Sequence, residues 1–81
     1  MKTYILDRQE IRSRLKKARL QKSQTLGRIC TQNDVAEAIG VTQPKYSVIE
    51  RGEQFIRLED AVNIANYLEQ RFDYLFLGTT K

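Results

Sequence analysis

The feature that most constrains this 81-residue chain is a pair of short helical patterns, each opened by a capping threonine and each closed by a glycine. Thr31 precedes the first, QNDVAEAI, with Asp34 three positions on, which is the reciprocal spacing of a capping box. Cys30 and Val35 flank that cap at the positions of a hydrophobic staple. Val35, Ala36 and Ile39 then fall on one helix face, and Gly40 can take the left-handed conformation that stops the helix. Thr42 caps the second pattern almost at once. Pro44 lies in its first turn, where a missing N–H costs nothing, and Gly52 ends it.

Two helices joined through so tight a turn must cross at a fixed angle, and the apolar residues fit that crossing. Val35, Ile39, Val41, Tyr46 and Ile49 fill the wedge between them, and Ala36 is small where they nearly touch. All these positions together specify a helix-turn-helix over Gln32 to Arg51, with Gln43 to Arg51 as the helix expected to enter a major groove.

The rest of the chain supplies three more helices. Asp7 with Glu10, and Leu6 with Ile11, have the spacing of a second capping box and staple, followed by Ile11, Leu15 and Ala18 at i, i+4, i+7. That helix is expected to run to about Lys22, with Ser23 to Cys30 as a connection whose start is open to one further turn of the helix. Leu58, Ala61, Val62, Ala65 and Leu68 predict one face of a fourth helix, and a short last helix is expected near Asp73 to Leu77. No strand pattern or repeat interrupts this. The expected fold is all-α, five short helices in a single domain over residues 1–81.

Composition narrows the function classes. There is one cysteine and no histidine, so an internal disulfide and the usual zinc site are both excluded, and no cofactor is expected. No nucleophile stands with a base, no Gly-rich phosphate loop occurs, and Asp34/Glu37 and Glu59/Asp60 read as capping and surface acids, so catalysis is not expected. No apolar run is long enough for a membrane span, and Tyr4 to Leu6 is too short for a signal-peptide core. With the lone thiol, this points to the cytoplasm. Charge is uneven: residues 1–33 hold nine basic side chains against two acidic, while residues 34–81 hold five against eight. A basic segment on a near-neutral domain suits a polyanionic partner, although a solvated helix face explains such a charge run equally well.

The segment VTQPKYSVIERG closely resembles the turn and recognition helix of the phage-repressor (Xre-like) helix-turn-helix regulators. The resemblance extends over residues 8–78, with IRSRLKKAR similar to the family's first helix, TQNDVAEAIG to its second, and LEDAVNIANYL and FDYLFLG to its last two. It implies a DNA-binding domain, usually a homodimer, that regulates transcription at an operator. A repressor at a palindromic site is the expected form. Three departures from the family pattern stand out: a longer connection between Arg19 and Thr31, Arg57 where a Ser or Thr commonly caps the fourth helix, and Glu69 in place of a glycine after it.

The expected base contacts are Gln43, Pro44, Lys45, Ser47 and Val48, on the early and outward positions of the second helix. Glutamine pairs with adenine, lysine with guanine or a phosphate, and proline and valine present apolar surface to thymine methyls. Expected phosphate contacts are Gln32 (by resemblance, through its amide), Thr42, Lys17, Lys22, Arg28 and Arg51, with Arg14 and Lys16 as further candidates. The family pattern also implies a buried ion pair between Arg19 and Glu50, which removes Arg19 from the DNA-facing charge. Tyr4, Tyr67, Tyr74, Phe55, Phe72 and Phe76 are expected mainly in the core, with some near Phe72 to Leu77 as candidates for a dimer face. The alternative is an antitoxin-like module of the same fold whose main partner is a protein, a toxin or another regulator; a toxin-binding tail would distinguish it, and only Gly78 to Lys81 follow the last expected helix.

Overall fold

The computed structural model describes residues 8–53 and 56–77. Among these residues it is all-helical: α1 (Arg8–Leu26), α2 (Gln32–Ile39), α3 (Gln43–Glu50), α4 (Leu58–Leu68) and a final turn, α5 (Asp73–Leu77), wound with the wide π pitch. The capping box and staple expected at Leu6 and Asp7, and the aromatics Tyr4 and Phe55, lie outside the described residues.

Helix α1 is longer than its apolar stripe suggests. Ser23 to Leu26 take up the further turn left open for them and continue the helix, which ends at Gly27 (φ 74°). The Gly27 N–H closes the last turn on the Ser23 carbonyl at 3.0 Å. The Ser23 hydroxyl then accepts from the Cys30 N–H at 2.7 Å and donates to the Arg19 carbonyl at 3.4 Å. One serine thus fastens the connection to the helix it leaves, using its hydroxyl as both donor and acceptor.

The next two helices start and stop on the residues that cap them. Thr31 Oγ1 accepts from the Asp34 N–H at 3.1 Å, and Asp34 Oδ2 accepts from the Thr31 N–H at 2.8 Å, closing a capping box. Gly40 ends α2 at φ 81°, and the Val41 N–H turns back to the Ala36 carbonyl at 2.9 Å. Thr42 Oγ1 accepts from the Lys45 N–H at 3.3 Å, and Pro44 occupies the first turn of α3. Arg51 is the C-cap of α3 rather than its last residue.

The core lies where α2 packs on both α3 and α4, with α1 laid across α3, α4 and α5. Leu15, Val35, Tyr46, Ile64, Leu68 and Leu75 are its largest fully buried members. Each such side chain stabilises the fold by about 1.5–3 kcal/mol through lost contact with water. Helix α4 is rotated from its expected face. It buries Asp60, Ala61, Ile64, Ala65 and Leu68, and leaves Leu58 69% and Val62 38% exposed. The reason is that Ile64, three residues beyond Ala61, packs inward, which carries Leu58 and Val62 to the outer side. Arg57 caps α4 without a side-chain hydrogen bond, and Glu59 and Asp60 in the first turn complement the helix dipole instead.

The last turn joins the core, as expected of its aromatics: Leu75 and Phe76 are buried, and the Phe72 and Phe76 ring centres lie 5.4 Å apart. Arg14, a candidate for phosphate, donates to the Leu75 carbonyl at 3.0 Å and to Glu10 at 3.1 Å, which ties α5 to α1.

Candidate nucleic-acid interface

Helix α3 is anchored from below by Tyr46, Ile49 and Glu50, all buried. That leaves Pro44 and Lys45 exposed and Gln43, Ser47 and Val48 half-buried along its other sides. Beyond its end, Arg51 Nη1 donates to Ser47 Oγ at 2.7 Å, and its guanidinium forms a two-point pair with Glu53 at 3.0 and 3.2 Å. The pair draws the Glu53 carboxyl below the usual range, and the more distant charge of Arg12 adds to that. Reading by sequence spacing does not single out Arg12, because nothing in α1 announces its approach to the end of α3.

A chain of hydrogen bonds joins both ends of α3 to α2 and α1. Arg19 grips Glu50 at two points, Nε to Oε1 at 2.9 Å and Nη2 to Oε2 at 3.1 Å, and its Nη1 donates to the Cys30 carbonyl at 2.8 Å. The side chains of Arg19 and Glu50 are only 12% and 6% exposed. Gln32 Nε2 donates to Glu50 Oε2 at 3.1 Å, and Gln43 Nε2 donates to Gln32 Oε1 at 2.9 Å. Burial alone would push the Glu50 carboxyl up, but the bonds from Arg19 and Gln32 outweigh it and hold the group below the usual carboxylate range. The Arg19 guanidinium is correspondingly pushed up, chiefly by its bond to Glu50. The fully buried Tyr46 hydroxyl sits beside Glu50 without making a well-formed hydrogen bond, and burial followed by the carboxylate's charge pushes the phenol far up.

The other basic candidates are placed differently. Lys22 binds Glu69 at 2.7 Å and lies 5.0 Å from the centre of the Tyr67 ring, so it is engaged with the end of α4. Arg28 makes a two-point pair with Asp34 at 2.7 and 3.2 Å; that pair, with the Thr31 N–H, holds the Asp34 carboxyl far below its usual range. Lys17 is exposed on α1 and lines a shallow depression with Ser13, Lys16 and Leu20. The structure therefore brings Gln32, Gln43, Glu50 and Arg19 into one network and Ser47 and Arg51 into contact. It does not bring Lys17, Lys22 or Arg28 to that network.

The arrangement presents the start of α3 as a small polar surface on a rigid base. No cluster of metal-ligating side chains occurs among the described residues, and no helix among them is long and apolar enough to cross a membrane.

Residues 15–75 match the helix-turn-helix family. Over 64 residues the chain is 36% identical to YqaE of Bacillus subtilis strain 168, named as an uncharacterised HTH-type transcriptional regulator, an alignment covering 79% of this chain and 50% of that protein. The chain thus spans about half the length of the curated relative it matches. No solved structure gives a significant match.

Proposed function

Because the chain belongs to the helix-turn-helix family of phage-repressor-like proteins, we propose that it is a sequence-specific DNA-binding regulator of transcription, acting as a repressor through α3 in the major groove. The observation that carries this reading is the start of α3, where Gln43 is held at the surface by Gln32 while Pro44 and Lys45 stand exposed beside it. In a helix-turn-helix these early positions meet base edges. Gln43 reads adenine, Lys45 reads guanine or a neighbouring phosphate, and Ser47, Pro44 and Val48 complete the reading surface.

Phosphates flank that surface. The second amide proton of Gln32, the Thr42 hydroxyl and the free N–H groups of the first turn of α2 are suited to one strand, and Arg51 and Lys17 to others. Lys22, Arg28 and Arg51 join only by giving up Glu69, Asp34 and Glu53, an exchange that a phosphate's charge favours. A homodimer reading two half-sites about 34 Å apart, one helical turn, makes the operator palindromic. The exposed Leu58 and Val62 on the outer side of α4 support such a pairing.

Selection of bound sites from random DNA duplexes tests the reading directly. The expected result is one enriched motif with two inverted half-sites. Gln43→Ala is expected to lose discrimination at one or two base pairs, at roughly 1–3 kcal/mol each, with unchanged thermal unfolding. Enrichment of no sequence would replace this reading with that of a module whose main partner is a protein, such as a toxin.

A further inference from the structure

We infer that Glu50 is a positioning residue for base reading: through Gln32 it fixes which way round the Gln43 amide faces the groove. The inference rests on the reading above, in which Gln43 meets a base. The argument is one of donors and acceptors. An ionised carboxylate can only accept, whereas a glutamine amide carries an acceptor and a donor group of nearly the same shape, and by itself has no preferred order. Glu50, 5% exposed, is held in place by two bonds from Arg19. Gln32 must therefore turn its NH2 group toward Glu50, as the 3.1 Å contact shows. Its carbonyl oxygen is left facing Gln43 and can only accept, so Gln43 must in turn present its NH2 group, at 2.9 Å.

The order of Gln43 is thereby set from the far end of its own helix. One Nε2 proton is used on Gln32, and Oε1 with the other proton remains free. An acceptor beside a donor matches the N6 amino group and N7 of adenine. Were the amide reversed, its oxygen would accept from residue 32 with one lone pair and keep the other, so donor and acceptor would face the groove in the opposite order and meet N6 and N7 of adenine with like groups. The buried pair thus contributes to which base is read, not only to holding α1 against α3.

Gln32→Lys supplies the test, because an ammonium only donates. It can serve Glu50 and Gln43 Oε1 together, which reverses Gln43. Site selection with this variant is expected to lose the adenine preference at the Gln43 position, a fall in the ratio of adenine to the other bases on the order of 10-fold or more. An added positive charge raises affinity for every sequence alike, so the ratio is the readout. A second measurement needs no DNA. In the free protein, one side-chain amide proton each of Gln32 and Gln43 should be protected from solvent exchange by NMR. The Gln32 proton should lose protection in the paired variant Arg19→Met/Glu50→Leu, which removes its acceptor and leaves no stranded charge. An unchanged adenine preference in Gln32→Lys, or unprotected amides in the wild type, would overturn the relay. Unchanged specificity in Gln43→Ala with amides still protected would instead remove the base contact on which the inference stands.

Discussion

The most consequential residue is Glu50, a charge that the fold buries and then surrounds with donors. Breaking its pair from one side strands the other charge, so Arg19→Met is expected to cost roughly 3–5 kcal/mol in urea unfolding. Adding Glu50→Leu removes the stranded carboxylate and fills its space, and should restore most or all of that loss. Two single variants whose costs simply add would show that the pair is not coupled in the folded state. The same carboxylate gives the protein an acid limit. Its folded pKa lies below its unfolded value because Arg19 and Gln32 bind the charged form, and Asp34 is lowered likewise by Arg28 and Thr31. Between those values the unfolded chain holds more protons than the folded one. Stability is therefore fully present at neutral pH and falls as pH drops below the ordinary carboxylate range, from about pH 5 downward. Urea midpoints measured at descending pH should show this decline, and a flat profile between about pH 5 and 3 would contradict it.

At the scale of elements, the turn between α2 and α3 is set by Gly40, and its cost can be isolated. A methyl group built there would meet nothing within 4 Å, so the φ of 81° is the whole penalty. Gly40→Ala is expected to lower stability by about 1–2 kcal/mol while leaving DNA specificity intact, measured by unfolding and by competition between sites. A loss of specificity at full folding would mean that the turn also steers α3. This turn was fully legible in the sequence, because capping threonines, a left-handed glycine and a first-turn proline act locally. Helix α4 was legible only in its limits. Ala61, Ile64, Ala65 and Leu68 share a face as closely as Leu58, Ala61, Val62 and Ala65 do, and only packing on α2 decides between them. The Ser23 extension of α1 was legible only as an alternative for a related reason: serine and threonine disfavour a helix interior, but Ser23 gains a bond to Cys30 across the connection. In the site, residue types and exposed positions could be read from spacing. The Arg19–Glu50 pair was legible only through the family resemblance, and its continuation to Gln32 and Gln43 was not, since each of those links joins different helices.

For the whole molecule, the unequal charge and the outer face of α4 combine into one expectation about assembly and salt. Leu58 and Val62 lie four residues apart on the same side of α4, exposed and apolar, in a chain whose core already absorbs Leu75 and Phe76. If this face joins two copies, Leu58→Glu should place two like charges across the two-fold axis and yield a monomer in sedimentation equilibrium. Because Leu58 contributes little to the core, its thermal unfolding at low concentration should stay close to that of the dissociated wild type. Binding then provides an independent measure. Each protomer neutralises its own set of phosphates, so a dimer releases about twice the counterions of a monomer. The slope of log affinity against log salt should therefore fall to about half in Leu58→Glu, with a slope near −0.9 for each phosphate contacted. Half the wild-type slope with the same half-site preference would assign dimerisation to α4 and reading to α3 as separate functions. An unchanged slope and an unchanged mass would place the pairing surface elsewhere on the molecule.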